Sequence, residues 1–265
     1  MMEFLDSLDD PRLEPYRLLK ERELARDGRR FIAEGPHLVR RLLESVFSAE
    51  SVLLSSRRAE SFAHQVPAHV PVYILPDALI HQVIGYRFHS GVIACGRQKP
   101  PTSLASLIPP QPAQAMLVVC PEIANTENLG ALIRISAAFG VSAMILGPRC
   151  CDPFFRQSIR VSMGSVFRLP IYRSEDLAID LRQLRDEHAV RVYATVLDEK
   201  AEPLSAVKPP IRAALMFGNE AQGLDAHWIE QADQAITIPM GLGTDSLNVS
   251  VAAAIFLYHF TQMKD

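Results

Sequence analysis

Three stretches in the C-terminal half of this 265-residue chain combine residue types that a purely structural loop does not need. The first is Asn125-Thr-Glu-Asn128-Leu-Gly130-Ala-Leu-Ile-Arg134. Arg134 sits among Leu132, Ile133 and Ile135, and an arginine in an apolar helical pattern must find a partner, reach a cleft or extend its stem to solvent. Asn128 is the expected N-cap of a helix starting at Leu129 or Gly130, and Gly130 would let a backbone or ligand approach closely. The second is Phe217-Gly218-Asn219-Glu220-Ala221-Gln222-Gly223-Leu224, a strand running into a glycine-bracketed polar turn. Its backbone groups could meet an adenine edge or a carboxylate; an ordinary strand–helix turn with Glu220 as a first-turn acid is the plainer alternative. The third runs from Ile238 through a Gly-Leu-Gly loop to Ser246-Leu247-Asn248, with Ser246 the expected N-cap. Gly241 and Gly243 lack the third glycine and downstream acid of a dinucleotide fingerprint, and there is no Walker lysine motif, GxSxG elbow or HExxH.

Five strand-like apolar runs must hold these stretches: Met116–Cys120, Ala143–Leu146, Val190–Val196, Ala213–Phe217 and Ala235–Ile238. Helix-like segments separate or follow them at Leu129–Phe139, Phe154–Met163, Asp176–His188, Ala226–Gln231 and Leu247–Gln262. The alternation predicts a mostly parallel sheet covered on both faces. All three polar stretches fall at strand carboxyl ends, where ligands of such sheets gather. Ahead of them, residues 1–98 read as a small α/β domain, with helices at Tyr16–Arg26 and Pro36–Phe47 and strands at Val52–Leu54, Val72–Leu75 and Gly91–Cys95. Residues 99–114, KPPTSLASLIPPQPAQ, hold five prolines and predict a stiff, extended linker to a second domain over 115–265.

Composition sets the outer limits. With 48% hydrophobic and 22% charged residues, the chain is of the globular class, which excludes a disordered or collagenous one. No apolar run approaches the roughly 18 residues of a membrane span, and the acidic N-terminus lacks a signal-peptide pattern. Four cysteines without a CxxC pair predict reduced thiols in a cytoplasmic protein and no metal site. The net charge of −3 argues against a nucleic-acid binder, but residues 12–41 and 149–173 are each locally basic. Arg29 and Arg30 belong to the first window, and Arg156 and Arg160 to the second. Such windows can meet phosphates, with a solvated helix face as the alternative.

In this order and spacing, NTENLGALIRISAAFG, LMFGNEAQGL and IPMGLGTDSLNVSVAAAI resemble motifs 1, 2 and 3 of the SpoU/TrmH family of RNA ribose 2′-O-methyltransferases, within the SPOUT superfamily. The stretch Arg160-Val-Ser162-Met-Gly164-Ser165 also resembles the family, and EGPHLVRRLL resembles the L30e-like substrate-binding domain often fused ahead of it. Ala221 stands where many members have glycine, and Asn125 where aspartate is frequent. The resemblance implies an α/β parallel sheet with a C-terminal trefoil knot, a homodimer, and S-adenosylmethionine held by Gly218, Ile238 and Leu247. It implies a catalytic set of Arg134, Asn128, Glu220, Ser246 and Asn248, with no metal, because a sulfonium is already a good leaving group. The implied substrate is RNA, rRNA ahead of tRNA; the alternative is an RNA-binding protein of the same fold that has lost methyl transfer.

Overall fold

The structure, a computed structural model, describes residues 2–17, 29–86, 88–99, 102–241 and 246–263. It divides into two compact units: Met1–Pro100 with Phe154–Arg168, and Pro101–Pro153 with Leu169–Asp265. Among the described residues, no helix is long and apolar enough to cross a membrane.

The first unit is built on strands β1 (Met2–Phe4), β2 (Arg30–Glu34), β3 (Ser48–Ser55), β4 (Val72–Leu75) and β5 (Val92–Arg97), in the order β1-β4-β3-β5-β2. The sheet is mixed: β4 runs parallel to β1 and β3, whereas β5 is antiparallel to β3 and β2. Leu13, Tyr16, Leu53, Leu75, Phe88 and Ile93 form its core. Helix Pro36–Leu43 starts after Gly35, with proline in its first turn, and buries Leu38, Val39 and Leu42. It ends short of the expected Phe47. Most of the helix expected at Tyr16–Arg26 lies outside the described residues. Phe31 of β2 meets Phe154 and Phe167 at centroid distances of 5.0 and 5.5 Å, and Phe47 meets the same two rings at 5.3 and 6.0 Å. These four rings anchor the Phe154–Arg168 segment in the first unit.

The second unit holds β6 (Ala115–Cys120), β7 (Ala143–Leu146), β8 (Ile171–Arg173), β9 (Arg191–Thr195), β10 (Glu202–Pro203), β11 (Arg212–Met216) and β12 (Gln234–Thr237). Their order is β10-β12-β9-β11-β6-β7-β8, and every pairing is parallel. All of β6, β7 and β11 is buried, as expected for strands covered on both faces. Leu117, Val119, Ile145, Leu181, Val192 and Met216 belong to one core cluster. Helix Val249–Gln262 contributes Phe256 and Phe260, whose rings meet Phe217 and Tyr193 at 6.0 and 5.0 Å. The chain steps from β6 to β7 and β8 on one side, then returns to place β9, β11 and β12 on the other, so the order reverses beside β6, where such sheets open a ligand crevice.

The proline-rich stretch is not the extended linker expected from its composition. Leu104–Leu107 forms a helical turn, and Leu104 and Ile108 are buried in the second unit's core. The buried Arg212 guanidinium donates to the carbonyls of Pro109, Ala113 and His188 at 3.0, 2.5 and 2.7 Å. Proline spacing signals stiffness, but apolar burial and these three hydrogen bonds decide where the segment lies.

Candidate active site

The first polar stretch begins where β6 ends. Asn125, not Asn128, caps the helix: its Oδ1 accepts from the backbone N–H of Glu127 at 2.8 Å and of Asn128 at 3.3 Å, and the helix runs Thr126–Ala138. The expected cap was misplaced because Thr126 and Glu127 already belong to the first turn, where polar residues are ordinary. With the capping role taken by Asn125, the Asn128 side chain is available for tertiary contacts. Gly130 is buried inside the helix, and the Arg134 side chain is exposed, with no hydrogen-bond or ion-pair partner among the described residues.

The second stretch is a closed turn rather than a helix start; the next helix begins only at Ala226. Asn219 and Gly223 exchange both backbone hydrogen bonds at 2.8 Å. Asn219 Oδ1 accepts from the N–H groups of Ala221 and Gln222 at 2.9 and 3.3 Å. A Cβ on Gly218 would overlap the backbone of Gly223 and Leu224, so only glycine closes this turn. Glu220 projects from it, and its Oε1 accepts from Asn125 N–H at 3.3 Å and Asn128 Nδ2 at 3.1 Å.

The third stretch follows β12. Ile238 and Leu247 are half-buried and Ser246 is exposed; Leu242 to Asp245 lie outside the described residues. Asn248 displaces Ser246 as the N-cap of helix Val249–Gln262: its Oδ1 accepts from Ser250 N–H at 2.9 Å and Ser250 Oγ at 2.6 Å. That leaves Asn248 Nδ2 to donate, and it does so to Asn128 Oδ1 at 3.0 Å. A directional relay results, from Asn248 to Asn128 to Glu220, through residues from all three stretches. Each amide is oriented by its neighbour, because the Glu220 carboxylate only accepts.

Of the expected site residues, the structure joins Asn128, Glu220 and Asn248 directly. Gly218 stands at the base of the Glu220 turn, and Ser246 and Leu247 immediately precede Asn248. Sequence reasoning missed Asn219, which closes the Glu220 turn, and Ser250, which donates to Asn248. Asn219 was recoverable, since asparagine after a glycine favours a side-chain-closed turn. Near β6, Cys150 Sγ contacts the Cys120 carbonyl at 3.0 Å, and burial pushes the Cys150 and Cys151 thiols up to about 11 and about 12.

The four expected RNA contacts lie in the first unit and differ among themselves. Arg156 donates to Tyr86 Oη at 2.8 Å, stacks over that ring at 5.0 Å and lies 3.7 Å from Glu34. Tyr86 in turn donates to Glu34 at 2.7 Å. Arg30 is held by Glu50 at 2.8 Å and Glu14 at 3.8 Å. The side chains of Arg29 and Arg160 are exposed, with no hydrogen-bond or ion-pair partner among the described residues. Arg29 has a φ of 60°, unusual for a residue with a side chain.

Residues 115–258 match the SpoU rRNA Methylase family. The chain is 35% identical to an uncharacterized tRNA/rRNA methyltransferase of Mycobacterium bovis, over 96% of this chain and 90% of that one. It is 28% identical to the 23S rRNA (guanosine(2553)-2′-O)-methyltransferase of Bacillus subtilis, over 97% and 99% of the two chains. The crystal structure of an AdoMet-bound rRNA methyltransferase from Sinorhizobium meliloti superposes with a TM-score of 0.83 at 26% identity, covering 98% of this chain and 97% of the other. With its motifs gathered at the strand ends of a parallel sheet and its relatives matched along nearly the whole chain, the protein belongs to the SpoU rRNA Methylase family.

Proposed function

We propose that the protein transfers a methyl group from S-adenosylmethionine to a ribose 2′-OH of rRNA or tRNA. The observation that carries this reading is the relay Asn248–Asn128–Glu220, which ties the three motif stretches into one constellation. The glycine-closed turn at Gly218, together with half-buried Ile238 and Leu247, fits a cofactor held largely by backbone and apolar contacts. S-adenosylmethionine supplies the methyl group on a sulfonium. The chain's own residues position the substrate and manage charge as the ribose oxygen becomes nucleophilic. Arg134 is uncommitted and exposed, which suits a side chain that grips an RNA phosphate or stabilises developing negative charge. Arginine is effectively always protonated, so electrostatic stabilisation is favoured over a role as base. Ser246 and Asn248 stand at the start of helix Val249–Gln262, where they can orient the incoming nucleotide.

The rest of the reading follows from the same family. The chain enters a trefoil knot around the third stretch, and the first unit is an L30e-like module that captures RNA, rRNA ahead of tRNA, in the cytoplasm. Arg29 and Arg160 supply its free cations. The homodimer forms on helix Val249–Gln262, where Val251, Ile255 and Tyr258 share one exposed stripe at helical spacing. An RNA-binding protein without methyl transfer is disfavoured, because binding alone does not require the relay. Incubating the protein with tritiated S-adenosylmethionine and bulk RNA tests the proposal: label should enter RNA at ribose, and no incorporation into rRNA or tRNA would refute it. Mapping 2′-O-methyl sites in cells with and without the gene identifies the nucleotide.

A further inference from the structure

The turn that presents Glu220 also borders a cleft of about 320 Å³, lined by Glu122, Arg149, Gly218, Asn219, Gln222 and Trp228 among others. Glu122 follows β6 and Arg149 follows β7, so both stand at carboxyl ends of adjacent strands. Arg149 Nη1 lies 3.0 Å from Glu122 Oε2, and Asn219 Nδ2 donates to Glu122 Oε1 at 3.5 Å. Neither charged residue takes part in the relay. Their side chains remain 59% and 31% exposed, and an ion pair so open to water contributes about 0–1 kcal/mol to stability. Stability is therefore a weak reason for two opposite charges beside Gly218.

Ligand chemistry is a better one. The amino-acid end of S-adenosylmethionine is a zwitterion, with a carboxylate and an ammonium on the same carbon. A guanidinium offers a planar fork to a carboxylate, and a glutamate accepts from an ammonium. We propose that the cleft beside Gly218 binds this amino-acid end, with Arg149 holding the α-carboxylate and Glu122 the α-ammonium. Asn219 couples the two halves, because its backbone and Oδ1 close the turn while its Nδ2 steadies Glu122. The inference rests on the proposed use of S-adenosylmethionine, and assigns to Glu122 and Arg149 a role that none of the three motifs contains.

The test is calorimetric, on the full chain, with two probes. S-adenosylhomocysteine carries the amino-acid end; 5′-methylthioadenosine keeps the nucleoside and thioether but lacks it. Wild type should prefer S-adenosylhomocysteine. Arg149→Met and the isosteric Glu122→Gln should each cut that preference by about tenfold, close to 1.4 kcal/mol, while leaving methylthioadenosine affinity within about twofold. Arg149→Lys should retain part of the preference. A preference ratio equal to wild type in both variants overturns the assignment, including the case in which both affinities fall together. An unchanged ratio with weakened RNA binding would likewise overturn it and give the cleft to the RNA. Wild-type protein that bound neither probe would refute the proposed function itself, and the subsite with it.

Discussion

Asn248 donates its side-chain amide to Asn128 across 3.0 Å, although the two residues lie 120 positions apart in sequence. Each belongs to the first turns of a different helix, and the two helices follow different strands, β6 and β12, of the same sheet. The contact fixes the Asn128 amide so that its N–H₂ faces Glu220, and so converts two helix starts into one oriented polar surface.

Replacing Asn128 by alanine should break the relay without uncapping the helix. Methyl transfer is expected to fall by about a hundredfold, while thermal stability changes little, since the loss of an oriented polar group is felt mainly in turnover. Asn125→Ala should behave oppositely, costing about 1 kcal/mol through the lost cap. Denaturant melts alongside initial rates on RNA separate the two, and an Asn128→Ala enzyme of normal activity would remove the relay from the mechanism.

Arg134→Ala should abolish turnover, by about a hundredfold or more, and leave S-adenosylhomocysteine affinity near wild type. Arg134 has no structural partner among the described residues, so its removal should also leave stability unchanged within about 0.5 kcal/mol. Retained turnover in this variant would refute its catalytic role.

RNA capture should distinguish the two arginines of helix Arg156–Val161. Arg160→Ala is expected to flatten the dependence of log K on log salt by about 0.7 if it neutralises one phosphate of a single strand. Arg156→Ala should instead lower stability, because it removes the guanidinium that donates to Tyr86, stacks over its ring and faces Glu34. Binding isotherms at several salt concentrations, set beside melting curves, check both; identical slopes for wild type and Arg160→Ala would exclude that residue from the interface.

Arg212→Met should destabilise the second unit by about 2–4 kcal/mol, since three carbonyls lose the charged donor that the buried Arg212 supplies. Hydrogen exchange should then rise in residues 104–114, the stretch these bonds hold. A variant as stable as wild type would show that core burial of Leu104 and Ile108 alone suffices.

Cys151 should resist alkylation in the native protein. Burial is the main cause of its thiol's rise to about 12 from an ordinary 9.0, with Cys150 and Glu220 adding to it, so the thiolate is about a thousandfold scarcer at neutral pH. Mass spectrometry after iodoacetamide at pH 8 should find the residue labelled only once the protein is unfolded; rapid native labelling would contradict the buried environment.

The parallel sheet of the second unit was legible because β6 and β7 are continuous apolar runs, β9, β11 and β12 carry apolar residues behind a polar first residue, and helical spacing separates them; each was located within a residue or two. β8 and β10 were missed: Ile171–Arg173 and Glu202–Pro203 are too short to carry a pattern. In the first unit, helix Asp77–Ile84 had readable signals, an acid in its first turn and Gly85 as its left-handed end, whereas β1 pairs through its backbone and leaves Met2 and Phe4 exposed. The three motif stretches were found from residue type and spacing, but their caps were not, because Asn, Ser and Thr all satisfy helix N–H groups and only backbone geometry chooses among neighbours. The fates of Arg30 and Arg156 were illegible for a related reason. A charge count cannot see that Glu50, Glu14, Tyr86 and Glu34 have already claimed their guanidinium groups.

The four-ring anchor of Phe154–Arg168 bears on how this protein can be made. During synthesis the first unit does not have all its parts when residue 100 leaves the ribosome; the chain must first emit Pro101–Pro153, which belongs to the second unit. Until Phe154 and Phe167 arrive, Phe31 and Phe47 have apolar faces without cover, and the nascent first unit is a candidate client for chaperones. The same chain order means that a fragment ending at residue 100 is an unfinished unit, and that a graft of the first unit onto another protein must carry Phe154–Arg168 with it, a segment that in sequence interrupts the second unit.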